Sequence, residues 1–533
     1  MRVRLGGALA VLATVAATTC GAARADGLLL VSGHGWGHGV GMSQWGAYGY
    51  ALHGWSYKRI LGHYYPGTRL SRIGEPRVRV LLAQDVAVAT VGCAARMKVG
   101  DGRGRWWKLR AGTYGVGPKL VLPLRRGARG RSLGRVAEFE CGRAPLELDG
   151  RPYHGDLVLR SAGGTLSAVD NLPLDAYVRG VVPAEMPSKW GIAALEAQAV
   201  AARSYAVSEL KPNAHYDLLP DTRDQMYGGV AAERPRTDRA VYDTSGEVLT
   251  WQGRVARTYY SSSSGGRTES VQDAWPGAAP IPYLRSVPDP YDTYSPHHDW
   301  GPFAITAASL ASRLGASSPV SSVRIVRDDS YRAAQVVATL ASGATVRWSG
   351  EQVAQALRLR STWFSIGELS VEPSSTRVLY GRSVRIVARA SGVGPALLQA
   401  RRGSAWRTLR RVRGTTSLEL TPPRDAEYRL LVGQAAASAS VDVAPRLHVE
   451  AAGAALLRGS IEPRPASPVR VWRWERGGWR VVARPVVGPS GTFATPVRLR
   501  PGGYRITVDA DGTLAAAQQR LRVTRRLLAS LAH

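Results

Sequence analysis

The chain has 533 residues, which at about 150 per domain implies three or four domains and excludes one small module. Hydrophobic residues (44%) and charged residues (21%) stand in ordinary globular proportion, and 59 Gly with 32 Pro stay below the level of low complexity, so wholesale disorder is excluded. The bias lies in charge: 70 Lys and Arg against 40 Asp and Glu give a formal net of +30, nearly all of it Arg. Composition alone does not separate a solvated Arg-rich surface from one that attracts an anionic envelope polymer.

The N-terminus reads as a secretory leader. Met1–Arg4 is positively charged, residues 5–17 are apolar but too short to span a bilayer, and Ala23-Arg24-Ala25 fits a cleavage site. A leader over 1–25 and a mature start at Asp26 are expected; Ala17-Thr18-Thr19 before Cys20 makes a poor lipobox. No later run is long and apolar enough for a transmembrane segment. Two cysteines remain after the leader, Cys93 and Cys141. In an oxidising compartment they suggest one disulfide, with two buried thiols as the alternative. Two thiols alone cannot build a four-ligand zinc site. No nucleic-acid-binding signature is present, so nucleic acid is not an expected partner.

Residues 26–70 are rich in Gly, His, Trp and Tyr. Across 75–170, short β-like runs (Val78–Leu82, Lys119–Leu122, Asp156–Leu159) alternate with turns. The period then changes. Leu174, Tyr177, Val178, Val181 and Val182 share one helix face, and Pro183 should end or kink that helix. A second helix is expected from an N-cap at Ser188 through Leu210, leaving Glu185 in the elbow between them. Residues 213–300 read as loops with strands such as Val255–Tyr260. Helices are expected at Ala304–Leu314 and Gly350–Leu357.

From about 370 the pattern is all-β, in two similar stretches. One holds Trp406 and Glu427-Tyr-Arg-Leu430, the other Trp479 and Gly503-Tyr-Arg-Ile506. The expected fold class is an α+β core (mixed β with a helical hairpin) followed by two all-β Ig-like sandwich domains. The expected segments are a core over 26–369, modules over 370–444 and 445–523, and a tail over 524–533.

Glu185 stands alone among Val181, Val182, Pro183, Ala184, Met186 and Pro187. Apolar neighbours raise a carboxyl pKa and suit a general acid; a Glu at a helix N-terminus would be shifted the other way.

The run Leu172–Pro187 with Ala194–Ala206 resembles the stage II sporulation protein D / amidase-enhancer (SpoIID/LytB) family. So do Gly33-His-Gly-Trp-Gly-His-Gly-Val-Gly-Met-Ser-Gln-Trp-Gly-Ala47 with Ile60–Gly67, Asp221–Gly228, Tyr260–Thr268 and Leu359–Phe364. The resemblance implies cell-wall remodelling, and for sporulation members lytic cleavage of the glycan between N-acetylmuramic acid and N-acetylglucosamine. Its catalytic glutamate, in Ala-Glu-Met-Pro, is Glu185 here. One carboxyl group suffices: it protonates the glycosidic oxygen, then takes the proton of the muramic acid C6 hydroxyl as that oxygen closes on C1. A hydrolase would normally need a second carboxylate, for which Asp170, Asp175 and Asp224 are available.

His38, Gln44, Ser263, Ser264 and Gly265 are candidates to bind sugar hydroxyls, and Trp36, Trp45 and Tyr227 to stack on sugar rings; loop closure and packing are the alternatives. Arg203 and Gln198 are expected to support the site. The glycine–histidine motif comes first here, whereas sporulation members carry it at the end of the core, so the order is circularly permuted. Some relatives hold zinc near the Asp-Thr segment. Leu219, Arg223 and Asp224 stand there in this chain, so neither metal nor cofactor is expected. The expected partners are peptidoglycan glycan strands and a cell-wall amidase. The competing readings are a non-catalytic amidase enhancer and a wall-binding scaffold.

Overall fold

The computed structural model describes residues 28–123 and 130–531; the leader expected over 1–25, with Cys20 and Asp26, lies outside them. The chain is mostly β, 45% strand, with a few helices. Among the described residues, buried apolar side chains gather into four clusters. The largest spans residues 40–287. A second joins Leu29 and Val31 to residues 300–364, a third joins Leu30 to residues 369–441, and the fourth lies within 449–523.

The strand Leu28–His34 connects two of these regions. It lies second in a five-stranded antiparallel sheet, between Asp299–Thr306 and Phe364–Pro373, followed by Val384–Ser391 and Gly414–Leu420. Successive side chains on a strand point to opposite faces. Leu29 and Val31 therefore enter the cluster of residues 300–364, while Leu30 enters the cluster beyond 369. The strand Phe364–Pro373 runs unbroken through residue 370, where the sequence suggests a boundary.

A six-stranded sheet contains Arg77–Val86, Thr165–Pro173 and Asp156–Ala162. A four-stranded sheet contains Ala89–Cys93. Cys93 is bonded to Cys141, which lies just after the strand Val136–Glu140 of the larger sheet, so the disulfide ties the two sheets together.

The helical hairpin consists of Leu174–Glu185 and Ile192–Ser208. Pro183 does not end the first helix. It lies in the last turn, where the missing N–H forfeits one bond, and Met186 N–H still closes on the Val182 carbonyl at 2.9 Å. Ser188 is not the cap of the second helix; Gly191 takes that position without a side-chain bond. Trp190 is buried against Trp45 and Tyr48, ring centroids 4.7 Å from each, and this packing holds the preceding residues in a turn.

Other expectations shift as well. Lys119–Leu122 contributes only the short strand Val121–Leu122. Val255–Tyr260 is not one strand but the separate pieces Arg254–Val255 and Tyr260–Ser261. The helix expected from Ala304 begins at Ala307, where the Thr306 hydroxyl accepts from Ser309 N–H at 3.0 Å, while Gly350–Leu357 is helical as expected. The glycine-rich N-terminal segment also forms two helices that its composition concealed, Gln44–Leu52 and Tyr57–Tyr64.

Beyond 369 the two stretches repeat one contact. Tyr428 and Tyr504 are buried, and the Arg after each lies over the Trp of the next strand but one in its sheet: Arg429 over Trp406 at 4.2 Å and Arg505 over Trp479 at 4.9 Å. The 48-residue separation of Cys93 and Cys141 is long enough for the crosslink to restrict the unfolded chain substantially. Replacing both with Ala should lower stability by about 4 kcal/mol, measured by denaturant unfolding of the oxidised chain and the variant.

Candidate active site

Glu185 is the last residue of its helix, at the negative end of the helix dipole. The alternative of a helix N-terminus that would favour its charge therefore does not hold. The carboxyl is largely buried and its pKa lies above the usual Glu value. Burial is the main cause, opposed by hydrogen bonds that favour the charged form. Met226 N–H donates to Oε1 at 2.7 Å and Gln44 Nε2 to Oε2 at 3.0 Å. The Tyr260 hydroxyl lies beside the carboxyl, and its one proton goes to Gln225 Oε1 at 2.7 Å; Gln225 Nε2 donates to the Tyr177 hydroxyl at 3.1 Å.

Asp170, Asp175 and Asp224 are engaged elsewhere. Asp170 accepts from the Tyr227 hydroxyl at 2.8 Å, Asp175 from Arg203 at 2.7 Å, and Asp224 from the Tyr205 hydroxyl at 2.9 Å and Leu219 N–H at 2.8 Å.

The permuted motif meets the end of the core directly. His34 N–H donates to the Trp363 carbonyl at 2.8 Å and Gly37 N–H to the Arg360 carbonyl at 2.9 Å. On its other side, Trp36 and Ser263 exchange backbone bonds at 2.8 and 3.1 Å, and Trp45 N–H reaches the Ser262 carbonyl at 3.0 Å. Gly41 lies at φ +73°, and a Cβ there would run into the Tyr259 carbonyl. The motif thus delivers Gln44 to Glu185. Ser43 caps the helix that begins at Gln44 by accepting from Gly46 N–H at 3.1 Å.

Asp292 fixes that cap. It accepts from the hydroxyls of Ser43 at 2.8 Å and Ser263 at 2.7 Å, from the N–H of Ser264 and Gly265 at 2.9 Å each, and from His298 Nδ1 at 3.0 Å. These bonds hold its pKa below the usual value despite burial. Asp289 accepts from the Ser264 hydroxyl at 2.7 Å and the Tyr64 hydroxyl at 2.9 Å; burial first, then the Asp292 charge, raises its pKa to about 7.

Several candidate ligands of sugar prove to be internal. Ser263 and Ser264 are fully buried and donate inward to Asp292 and Asp289, and Gly265 N–H is likewise consumed by Asp292. Tyr227 is buried against Tyr177 and against Gly180, where any Cβ would strike its ring, so it cannot stack on a sugar. Trp45 packs on Trp190, while Trp36 is half-exposed with His297 edge-on to its ring. His38 accepts from Val40 N–H at 3.0 Å, and burial, then Arg332, lower its pKa to about 4, so it is neutral. With Tyr205, Asp224, Tyr259, Tyr260 and Trp275 it lines a cavity of about 280 Å³ beside Glu185's partner Tyr260.

Arg203 is fully buried. Besides Asp175 it donates to the carbonyls of Glu247 at 3.1 Å and Val241 at 3.3 Å, which bolts the hairpin to its surroundings. Gln198 is buried with no hydrogen-bond partner for its amide. Among the described residues, no three His, Cys, Asp or Glu side chains form a metal-binding group, and no helix is long and apolar enough to cross a membrane. Sequence reading missed Asp289, Asp292, Gln225 and Tyr260. The two aspartates stand in Pro288-Asp-Pro-Tyr-Asp292, a turn-like run whose partner Ser43 lies 249 positions away.

Comparison with known proteins agrees with this geometry. Residues 162–251, which hold Glu185, Gln198, Arg203 and Tyr227, match the family described as stage II sporulation protein (SpoIID). Over residues 162–251 the chain is similar to the SpoIID family, as the sequence resemblance implies. It is 32% identical over 215 residues to stage II sporulation protein D of Bacillus subtilis, covering 37% of this chain and 61% of that protein. It is 39% identical over 116 residues to the amidase enhancer of the same species (22% and 15%), and 37% identical over 157 residues to an uncharacterised protein of Brachyspira hyodysenteriae (29% and 41%). The chain therefore spans less than two thirds of each of these relatives. A titin tandem of Ig domains covers 30% of this chain and 96% of its own at 11% identity, but its TM-score of 0.15 is too low to carry an argument.

Removing the Asp292 carboxylate would strand two hydroxyls, two N–H groups and His298. Asp292→Ala should lower stability by about 3–5 kcal/mol, seen by denaturant unfolding, with hydrogen exchange at Gly46 N–H rising as the Ser43 cap loosens.

Proposed function

We propose that the protein remodels peptidoglycan outside the cell as a lytic transglycosylase, with Glu185 as its general acid and base. The observation that carries this reading is a single part-buried carboxyl, raised in pKa and held by Gln44 and Met226 N–H, with every nearby Asp engaged elsewhere. Protonated Glu185 gives its proton to the glycosidic oxygen between N-acetylmuramic acid and N-acetylglucosamine as the bond breaks. The resulting carboxylate, stabilised by Gln44 and Met226, takes the proton of the C6 hydroxyl while that oxygen bonds to C1. The product is a 1,6-anhydro sugar, and no water is consumed. The disulfide Cys93–Cys141 supports an oxidising compartment outside the cytoplasm. The residues beyond 369 are proposed to form two Ig-like sandwiches.

A second reading draws on the amidase enhancer relative: a chain that binds wall and stimulates a separate amidase.

Digestion of purified glycan strands, with and without stem peptides, tests the first reading by mass spectrometry. Anhydro-muramic ends are expected, and Glu185→Gln should reduce their rate of formation by about 10²–10⁴-fold. Intact strands, with faster digestion by an added amidase, would establish the second reading instead; a water-added reducing end would mean hydrolysis.

The pH profile supplies a separate check. The acid must begin protonated, so kcat/KM should fall about tenfold per pH unit above the raised Glu185 pKa. Gln44 favours the charged form and so opposes that rise. Gln44→Leu should move the alkaline limb of kcat/KM to higher pH, measured across a buffer series.

A further inference from the structure

A cavity of about 690 Å³ lies far along the chain from Glu185, where the two C-terminal modules meet. The first module contributes the hairpin Ala396–Arg402 and Ala405–Val412 and the turn 421–425; the second contributes Gly512 and Thr513. The junction is closed by Asp425 N–H on the Thr513 carbonyl, Arg424 Nη1 on Thr513 Oγ1, and Ala515 N–H on the Val443 carbonyl, each at 2.9 Å.

Charge distinguishes this place. Residues 370–531 hold 27 Arg, no Lys and ten Asp or Glu. Arg401 is neutralised by Glu427 at 2.8 Å. Arg402, Arg407, Arg410, Arg411 and Arg413 are exposed, and among the described residues none has a carboxylate partner. Arg402 and Arg407 line the cavity with Arg401 and Arg424, together with the carboxylates Asp425, Glu427 and Asp442, so the excess positive charge lies on the arginine edge and not across the whole lining. Because Ala400 pairs with Arg407, Arg402 is its diagonal neighbour on the same face, about 7–8 Å away. The register shift at Leu398/Gln399 leaves Arg410, paired with Leu398, on the same face as Arg407, and puts Arg411, paired with Leu397, on the other face. Ala405–Val412 is the outermost strand of its sheet, so this row is open to solvent along one edge. Charges on an edge strand also block pairing with another chain. Here three arginines without a carboxylate partner, Arg402, Arg407 and Arg410, share one face of the edge, with Arg411 and Arg413 close by in sequence.

The geometry points to a binding site for a linear polyanion of the cell envelope, whose phosphate or carboxylate groups run along the 402–413 edge past Arg402 and Arg407. A chain of repeated charges fits the row better than one small anion does. The disulfide favours an envelope polymer over a nucleic acid. Occupancy would hold the chain on the wall independently of the chemistry at Glu185.

The test is binding of the full chain to poly(glycerol phosphate), polygalacturonate and neutral dextran at several salt concentrations, with duplex DNA in parallel. Binding to one or both anionic polymers, weakening as salt rises, and none to dextran is expected; whichever anionic polymer binds tighter identifies phosphate or carboxylate as the source. Arg402→Gln with Arg407→Gln should weaken binding tenfold or more and flatten the salt dependence. Arg480→Glu with Arg484→Glu, which alters exposed arginines elsewhere in the second module, should leave most affinity intact. Glu185→Gln should bind as the parent chain does, so failure here is separate from failure of the glycan-cleaving reading. Three results would overturn the proposal: equal loss in the 480/484 pair, which means a diffuse field; tighter binding to duplex DNA than to either polymer; or unchanged polymer binding in the 402/407 variant, which leaves edge protection as the only role of these arginines.

Discussion

Two-fold alternation along seven residues, Leu28–His34, is the constraint on which the arrangement turns. Leu29 and Val31 are committed to one apolar cluster and Leu30 to another. A slip of one residue would exchange those faces and put each side chain in the wrong core. The register also sets where the strand ends, and the glycine–histidine segment starts there. From that point its backbone is bonded to residues 360–363 on one side and 262–263 on the other, which carries Gln44 to Glu185. Strand pairing that looks like architecture is therefore part of how the carboxyl is held.

Around Glu185 the polar groups fall into two sets with opposite tasks. Ser43, Ser263, Ser264, Asp289 and Asp292 satisfy one another in a buried network and present little to a ligand. Gln44 and Met226 N–H face the carboxyl and set its proton affinity, with Tyr260 beside it. The first set makes the second rigid: Asp292 holds Ser43, Ser43 caps the helix, and Gln44 is that helix's first residue. Arg203 does the corresponding work behind the hairpin, joining Asp175 at the start of one helix to backbone carbonyls beyond the other.

Much of this was legible in the sequence where the cause was local. The 3.6-residue period marked both helices, an isolated carboxyl among apolar residues marked Glu185, and the Trp…Tyr-Arg spacing marked two stretches that make the same ring–guanidinium contact. Ser188 misled because cap chemistry is short-ranged, whereas Trp190, buried against Trp45 and Tyr48, decides where the chain turns. The sugar-facing roles of Ser263, Ser264 and Tyr227 failed for a related reason: residue type shows that a hydroxyl will seek a partner, not that Asp292, Asp289 or Asp170 already occupies it. Pairings such as Leu28 with Leu369 leave no local trace at all.

The unbroken strand Phe364–Pro373 has a mechanical meaning. It pairs with Leu28–His34 at one end and with Val384–Ser391 at the other, so no slack linker separates the core from the module beyond it. Tension drawn through the distal modules against an anchored core would load the 28–33 and 364–369 ladder along its length, in shear. The element resisting that pull is the one that anchors the motif at Glu185, so the grip on the carboxyl and the tether to the rest of the chain would yield together.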